Sequence, residues 1–154
     1  MKSLVEFLSE KIYWGNSAAG CIIVAKDTKR ILFLLRSGEE DSEAGQWEMT
    51  IGGKKDPEDN DSTANVEREI EEEIGVVPNE IETKLVEIFI DSGENHEDFK
   101  YHVYAKLVKS EFKPVLSDEH SDFKWVDIYS DLPSPLHFGA ERLLKSQKVL
   151  DLVK

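Results

Sequence analysis

Between Arg68 and Val76 the chain reads Arg-Glu-Ile-Glu-Glu-Glu-Ile-Gly-Val, and this segment constrains the fold more than any other. Wound as an α-helix, it places Glu69, Glu72 and Glu73 at i, i+3 and i+4, so three carboxylates share one face. Val66, Ile70 and Ile74 fall on a separate stripe, turned by about a quarter of a revolution, that can pack into a core. Gly75 stops the helix in the usual C-terminal manner.

Carboxylates held side by side repel one another unless a cation sits among them. Hard divalent ions such as Mg²⁺ take oxygen ligands and tend to bring phosphate substrates with them. The spacing therefore points to a magnesium site built on a helix. The bland alternative is a solvated, Glu-rich helix face, common in acidic proteins.

The surroundings favour the metal site. Gly52-Gly53 precedes the helix, a run of acidic turn residues connects them, and Trp47-Glu48-Met49-Thr50-Ile51 leads in as a strand. Together these residues resemble the signature of the Nudix hydrolases, G-x5-E-x7-R-E-U-x-E-E-x-G-U, where U is a bulky aliphatic residue. Arg68 to Val76 matches at every specified position. The first half departs from the pattern: six residues after Gly53 stands Asp59 rather than Glu, and Arg68 comes one residue late. Asp59 is the stand-in for that first Glu, with Glu58 as its rival, and the resemblance implies that it braces the loop and Arg68. Asp61 or Ser62 can cap the helix.

The resemblance implies an α+β fold, an α/β/α sandwich around a mixed β-sheet, in a single domain over residues 1–154. It also implies hydrolysis of a nucleoside diphosphate linked to another group, with Mg²⁺, or Mn²⁺ in its place, as cofactor. Length and composition agree with one soluble domain: 154 residues, 40% hydrophobic, and no run approaching the ~20 apolar residues of a membrane span. The balance of 32 acidic against 19 basic residues gives a net charge of −13. That sign repels nucleic acid, and it repels a polyphosphate too unless cations enter with it. The expected partner is a small nucleotide, without nucleic acid or membrane. The single Cys21 excludes an internal disulfide and, lying in an apolar run, reads as a buried core thiol. With no secretory pattern at the start, a cytoplasmic setting is the default.

Alternation and turn residues predict strands at 17–25, 31–36, 47–51, 84–91, 99–108 and 122–127, and helices at 3–12, 62–74 and 138–149. A polar, acidic loop is expected over 37–45.

Glu69, Glu72 and Glu73 are the expected metal ligands, and a backbone carbonyl of Gly52 or Gly53 could add an oxygen, since glycine permits close approach. Arg68 would orient the carboxylates through bidentate hydrogen bonds. Arg36 resembles an Arg that contacts substrate phosphate in several family members. Glu119 stands six residues before Trp125, the spacing at which several Nudix enzymes carry a further metal ligand or general base. His120 is a second candidate base. His96, His102 and His137 show no ligand spacing and read as ordinary surface or strand residues. Trp47 is a candidate wall for the ligand, although Trp47, Phe33 and Trp125 read first as core. The proton of the attacking water would pass to Glu72 or Glu119.

Residues that mark subtypes after the motif are mostly missing. Asp91-Ser92 stand where a Pro would suggest ADP-ribose. What remains resembles the small mutator-type nucleoside triphosphate pyrophosphatases. Two other classes stay open: a non-catalytic, nucleotide-sensing Nudix module, and an isopentenyl-diphosphate isomerase-like enzyme. The first typically loses carboxylates that this chain keeps. The second needs a catalytic Cys in a neighbouring loop, whereas Cys21 sits in an expected strand.

Overall fold

A computed structural model describes residues 17–38, 43–56, 58–91 and 99–154. The helix expected over 3–12, His96, and part of the acidic loop lie outside the described residues. Seven strands follow in chain order: β1 (Ser17–Ala25), β2 (Arg30–Arg36), β3 (Trp47–Glu48), β4 (Ile51–Lys54), β5 (Glu80–Asp91), β6 (Phe99–Val108) and β7 (His120–Val126). Helix α1 spans Ser62–Ile74, α2 Phe138–Leu143 and α3 Gln147–Leu150, which runs into a short 3-10 turn, Asp151–Val153.

All seven strands form one mixed sheet. The main path runs β3-β2-β1-β6-β5, with β4 added to β1 and β7 to β2. The central strand β1 is apolar on both faces, as a strand covered on both sides must be. Because successive side chains point to opposite faces, Ala18, Ile22 and Val24 pack with Ala140, Leu143 and Val149 of α2 and α3. Ala19, Cys21, Ile23 and Ala25 pack with Val66, Ile70 and Ile74 of α1. The result is the expected α/β/α sandwich. Each buried aliphatic side chain on the α1 stripe contributes about 1.5–3 kcal/mol. Cys21 is wholly buried, and burial pushes its thiol up to about 12.

β1 changes partners part-way along. Its end pairs with β2 at Val24↔Ile31, whereas its start pairs with β4 from Ala18↔Lys54 to Cys21↔Ile51. The single strand expected over 47–51 is therefore two pieces: β3 pairs with β2 and β4 with β1. The chain crosses between them at Met49-Thr50. β5 starts at Glu80, earlier than expected, because the Lys106 ammonium on β6 binds Glu80 and Thr83 together with Glu67 of α1. The expected terminal helix is broken at Ser146, which is extended and donates its hydroxyl to Glu87 on β5 at 3.0 Å. No helix among the described residues is long and apolar enough to cross a membrane.

Gly52 is where the sheet admits no side chain. A Cβ there would lie 2.0 Å from the Ala19 carbonyl oxygen and 2.5 Å from Gly20 Cα, both backbone atoms that cannot step aside. Gly52→Ala should destabilise the protein by about 2 kcal/mol or more and lower the thermal midpoint by several degrees. An unchanged melting curve would show that β4 does not press on β1 in this way.

Candidate active site

The carboxylate face begins with the helix that carries it. Asp61 caps α1, accepting from Ala64 N at 2.9 Å. Gly75 closes it at φ 76°, with its N–H donating to the Glu71 carbonyl. With Val66, Ile70 and Ile74 fixed in the core, Glu73 is buried, Glu69 half-buried and Glu72 exposed at the rim, while Glu71 points to solvent.

Arg68 ties this face to the preceding loop. Its Nε lies 3.2 Å from Asp59 Oδ1 and its Nη2 3.1 Å from Asp59 Oδ2. Its Nη1 reaches Glu69 Oε1 at 3.1 Å and Glu72 Oε1 at 3.2 Å. Asp59 also accepts from Asp56 N at 2.8 Å, so the shorter acid braces both loop and arginine. Glu58 is exposed. The Arg68 hydrogen bonds outweigh burial and hold the Asp59 carboxyl below its usual range.

Gly53 makes room for Glu69, since a Cβ there would come within 2.8 Å of Glu69 Oε1. Burial, with help from Glu72 and Glu119, raises Glu69 to about 7 against the pull of Arg68. Glu73 is raised well above the ordinary carboxylate range, first by burial and then by Glu48, Glu119 and Glu69. Its Oε2 is buried without a hydrogen-bond partner.

Glu119 arrives from a loop secured at many points. Glu111 accepts from Arg30 Nε at 2.7 Å and from Thr28. The Phe112 carbonyl accepts from Trp125 Nε1 at 2.9 Å, with the two rings in edge contact. Val115 N donates to Ile74 O and Ser117 N to Glu73 O, the free carbonyls at the end of α1. Ser37 donates through its N to Glu119 O and through its hydroxyl to Asp118 O. The exposed Glu119 side chain then lies near Glu69 and Glu73, where its charge helps to raise both.

Glu48 was not singled out in the sequence. Alternation along β3 sends Trp47 into the core cluster shared with α2 and Glu48 to the α1 side. There its Oε2 meets Arg36 Nη1 at 3.0 Å and its Oε1 meets His120 Nε2 at 2.5 Å. Burial alone would raise Glu48, but the hydrogen bond to His120 and the charge of Arg36 bring it to about 2. Arg36, expected at the substrate phosphate, is thus engaged by Glu48 in this structure. His137 corrects the reading as an ordinary surface or strand residue: it is buried and caps α2, its Nδ1 accepting from Gly139 N at 3.0 Å. His120 is buried as well.

An oxygen-rich, partly buried cluster with an unpartnered carboxylate oxygen and a side-chain-free backbone beside it suits a hard divalent cation. Glu69 and Glu73 lie within that cluster and Glu72 at its rim.

The NUDIX domain family model matches residues 15–146. The chain belongs to the Nudix family. It is a hydrolase acting on phosphorus-containing acid anhydrides, and divalent metals are the general cofactors of such enzymes. Among solved structures, it is 27% identical to a MutT NUDIX hydrolase from Burkholderia pseudomallei, with a TM-score of 0.63 over 92% of this chain and 100% of that one. The NUDIX domain of Shewanella oneidensis NrtR, solved with ADP ribose, is 18% identical, with a TM-score of 0.68 over 99% and 100%. The E. coli dihydroneopterin triphosphate pyrophosphohydrolase is 21% identical, with a TM-score of 0.58 over 92% and 97%. The last two show the fold alone. Among curated proteins, none matches the chain at a significant level.

The Asp59–Arg68 pair gives this Nudix protein a pH signature. A carboxyl with a depressed folded pKa contributes stability above its unfolded value, near 3.9, and loses it as pH falls through the folded value. Asp59→Asn should therefore reduce stability by on the order of 1–2 kcal/mol near neutral pH, with the gap to the parent closing below about pH 4. Denaturant titrations at both ends check this, and an equal gap at both would exclude the charged pair as its source.

Proposed function

We propose that this Nudix hydrolase cleaves a pyrophosphate bond in a nucleoside triphosphate, releasing the monophosphate and pyrophosphate, and that Mg²⁺ is its working cation. The observation that carries the reading is the intact carboxylate set of α1, with Arg68 locked on Asp59 and Glu119 brought near Glu69 and Glu73 from a second element. The likeness to a MutT NUDIX hydrolase at 27% identity is in keeping with pyrophosphate-bond hydrolysis. A non-catalytic sensing module would have no need of the whole set.

Glu69, Glu72 and Glu73 would hold the cation, which when bound neutralises phosphate oxygens and lowers the pKa of a coordinated water. Arg68 fixes the reach of Glu69 and Glu72 by sharing one guanidinium between them. Glu72 gives both oxygens to Arg68 at 3.2 and 3.3 Å, so the guanidinium already occupies that carboxylate. Glu119 is then the better acceptor for the proton of the attacking water. Arg36 is kept as a substrate-side residue, with the Gly52 and Gly53 backbone beside the cation. Trp47, expected as a ligand wall, packs instead on the other face of the sheet against the C-terminal helices.

A panel of nucleoside triphosphates and nucleoside diphosphate derivatives, ADP-ribose among them, scored by product identity with Mg²⁺, tests the substrate. Turnover should vanish in excess chelator, and full activity there would sink the proposal. Glu72→Gln and Glu73→Gln should each lower kcat by on the order of 10²-fold while the fold survives. Glu71→Gln should be nearly silent, and equal losses at Glu71 and Glu72 would contradict the face assignment.

Glu119→Gln should slow turnover roughly tenfold or more and shift the acidic limb of the pH–rate profile. Asp118→Asn is the control. If both variants follow the parent across pH, Glu119 is a solvated loop acid and the base lies on α1.

A further inference from the structure

His120 opens β7 as a nitrogen donor beside a set of oxygen ligands. Its side chain is 1% exposed, and its two ring nitrogens face two different carboxylates. Nε2 is 2.5 Å from Glu48 Oε1, while the other oxygen of Glu48 is 3.0 Å from Arg36 Nη1. With the arginine holding Glu48 as an acceptor, the contact suits the tautomer that carries its proton on Nε2, which turns Nδ1 toward Glu73 as the ligand atom. Nδ1 points at Glu73, with 3.8 Å between it and Oε1. That gap is too wide for a hydrogen bond. Both Nδ1 and Glu73 Oε2 are buried without a partner.

Burying polar atoms without partners is costly. Ligand atoms that each lie about 2.0–2.2 Å from one ion stand roughly 3–4 Å apart, which is the spacing seen here. Ligand atoms of Glu48, Glu73 and His120 all lie within 4.8 Å of one another. Glu48 has both oxygens occupied, so it serves as the outer carboxylate that fixes the ring of a metal-binding histidine.

We propose that His120 Nδ1 and the Glu73 carboxylate bind a divalent cation at the inner end of the α1 face, with Glu48 and Arg36 holding the imidazole in place. This rests on the reading of Glu73 as a cation ligand. An imidazole in the set favours Mn²⁺ or another transition ion over Mg²⁺, so the inner position should discriminate between them where an all-oxygen site would do so less.

The test is pulsed electron paramagnetic resonance on the full-length protein loaded with Mn²⁺. The parent should show coupling from a directly bound ¹⁴N, converted to the ¹⁵N pattern when histidine alone is labelled. His120→Gln should abolish that coupling and weaken Mn²⁺ binding by about tenfold or more, with a smaller effect on Mg²⁺ measured by calorimetry. Glu48→Ala should leave the ring unheld and weaken Mn²⁺ by roughly 10- to 100-fold. Mn²⁺ that binds the parent without nitrogen coupling overturns this inference and leaves the carboxylate reading standing. Coupling that survives in His120→Gln also overturns it. A parent that binds no divalent ion at all removes both. The spectrum of the parent decides even if a variant fails to fold.

Discussion

The crowding of negative charge at one end of α1 is the constraint on which the rest of the molecule depends. Glu69, Glu73 and Glu48 converge where burial raises the energy of a charge, with exposed Glu119 beside them, and two charges about 4 Å apart repel by several kcal/mol at an intermediate dielectric. Arg68 and Arg36 offset part of this from opposite sides. The linkage has the opposite sign to that of Asp59. Above 4.5 the unfolded chain ionises freely while folded Glu69 resists until about 7, so this group makes the native state lose stability as pH rises across that interval. A bound cation would reverse the loss, since it favours the ionised form. The helix can bear the strain because its cap at Asp61, its apolar stripe and its Gly75 terminus hold it independently of the acids.

The sheet meets this demand by putting one strand in two roles. β1 alternates its side chains between α1 and the C-terminal helices, and divides its length between β4 and β2. Its pairing with β4 brings Gly52 against the Ala19 backbone and Gly53 under Glu69. The central apolar strands and α1 were legible because periodicity and turn residues record them directly. The division of residues 47–54 between two neighbours was not, since only the divergence of β1 from β2 requires it. The break at Ser146 was hidden for the same reason: its bond partner, Glu87, lies in a strand remote in sequence.

The site divides along the same line. Glu69, Glu72 and Glu73 follow from helical spacing, and Asp59 follows from counting along the loop despite the extra residue before Arg68. Glu119 could be named from its distance to Trp125, and the structure brings it to Glu73. Glu48 carried no local signal: its partners sit on β2 and at the start of β7, and alternation in a two-residue strand is too brief to read. His137 was misjudged because a histidine's surroundings decide its role, and it is buried by residues elsewhere in the chain.

The segment from Lys109 to Glu119 has no regular secondary structure, yet Asn79, Arg30, Trp125, Ile74, Glu73 and Ser37 all hold it. A protease needs several consecutive residues to peel away from the body and adopt an extended form in its cleft. Here release of almost any stretch would break bonds to α1 or β7 at the same time. This irregular segment is therefore as hard to nick as a strand, and the acid it carries keeps its place without the help of a helix.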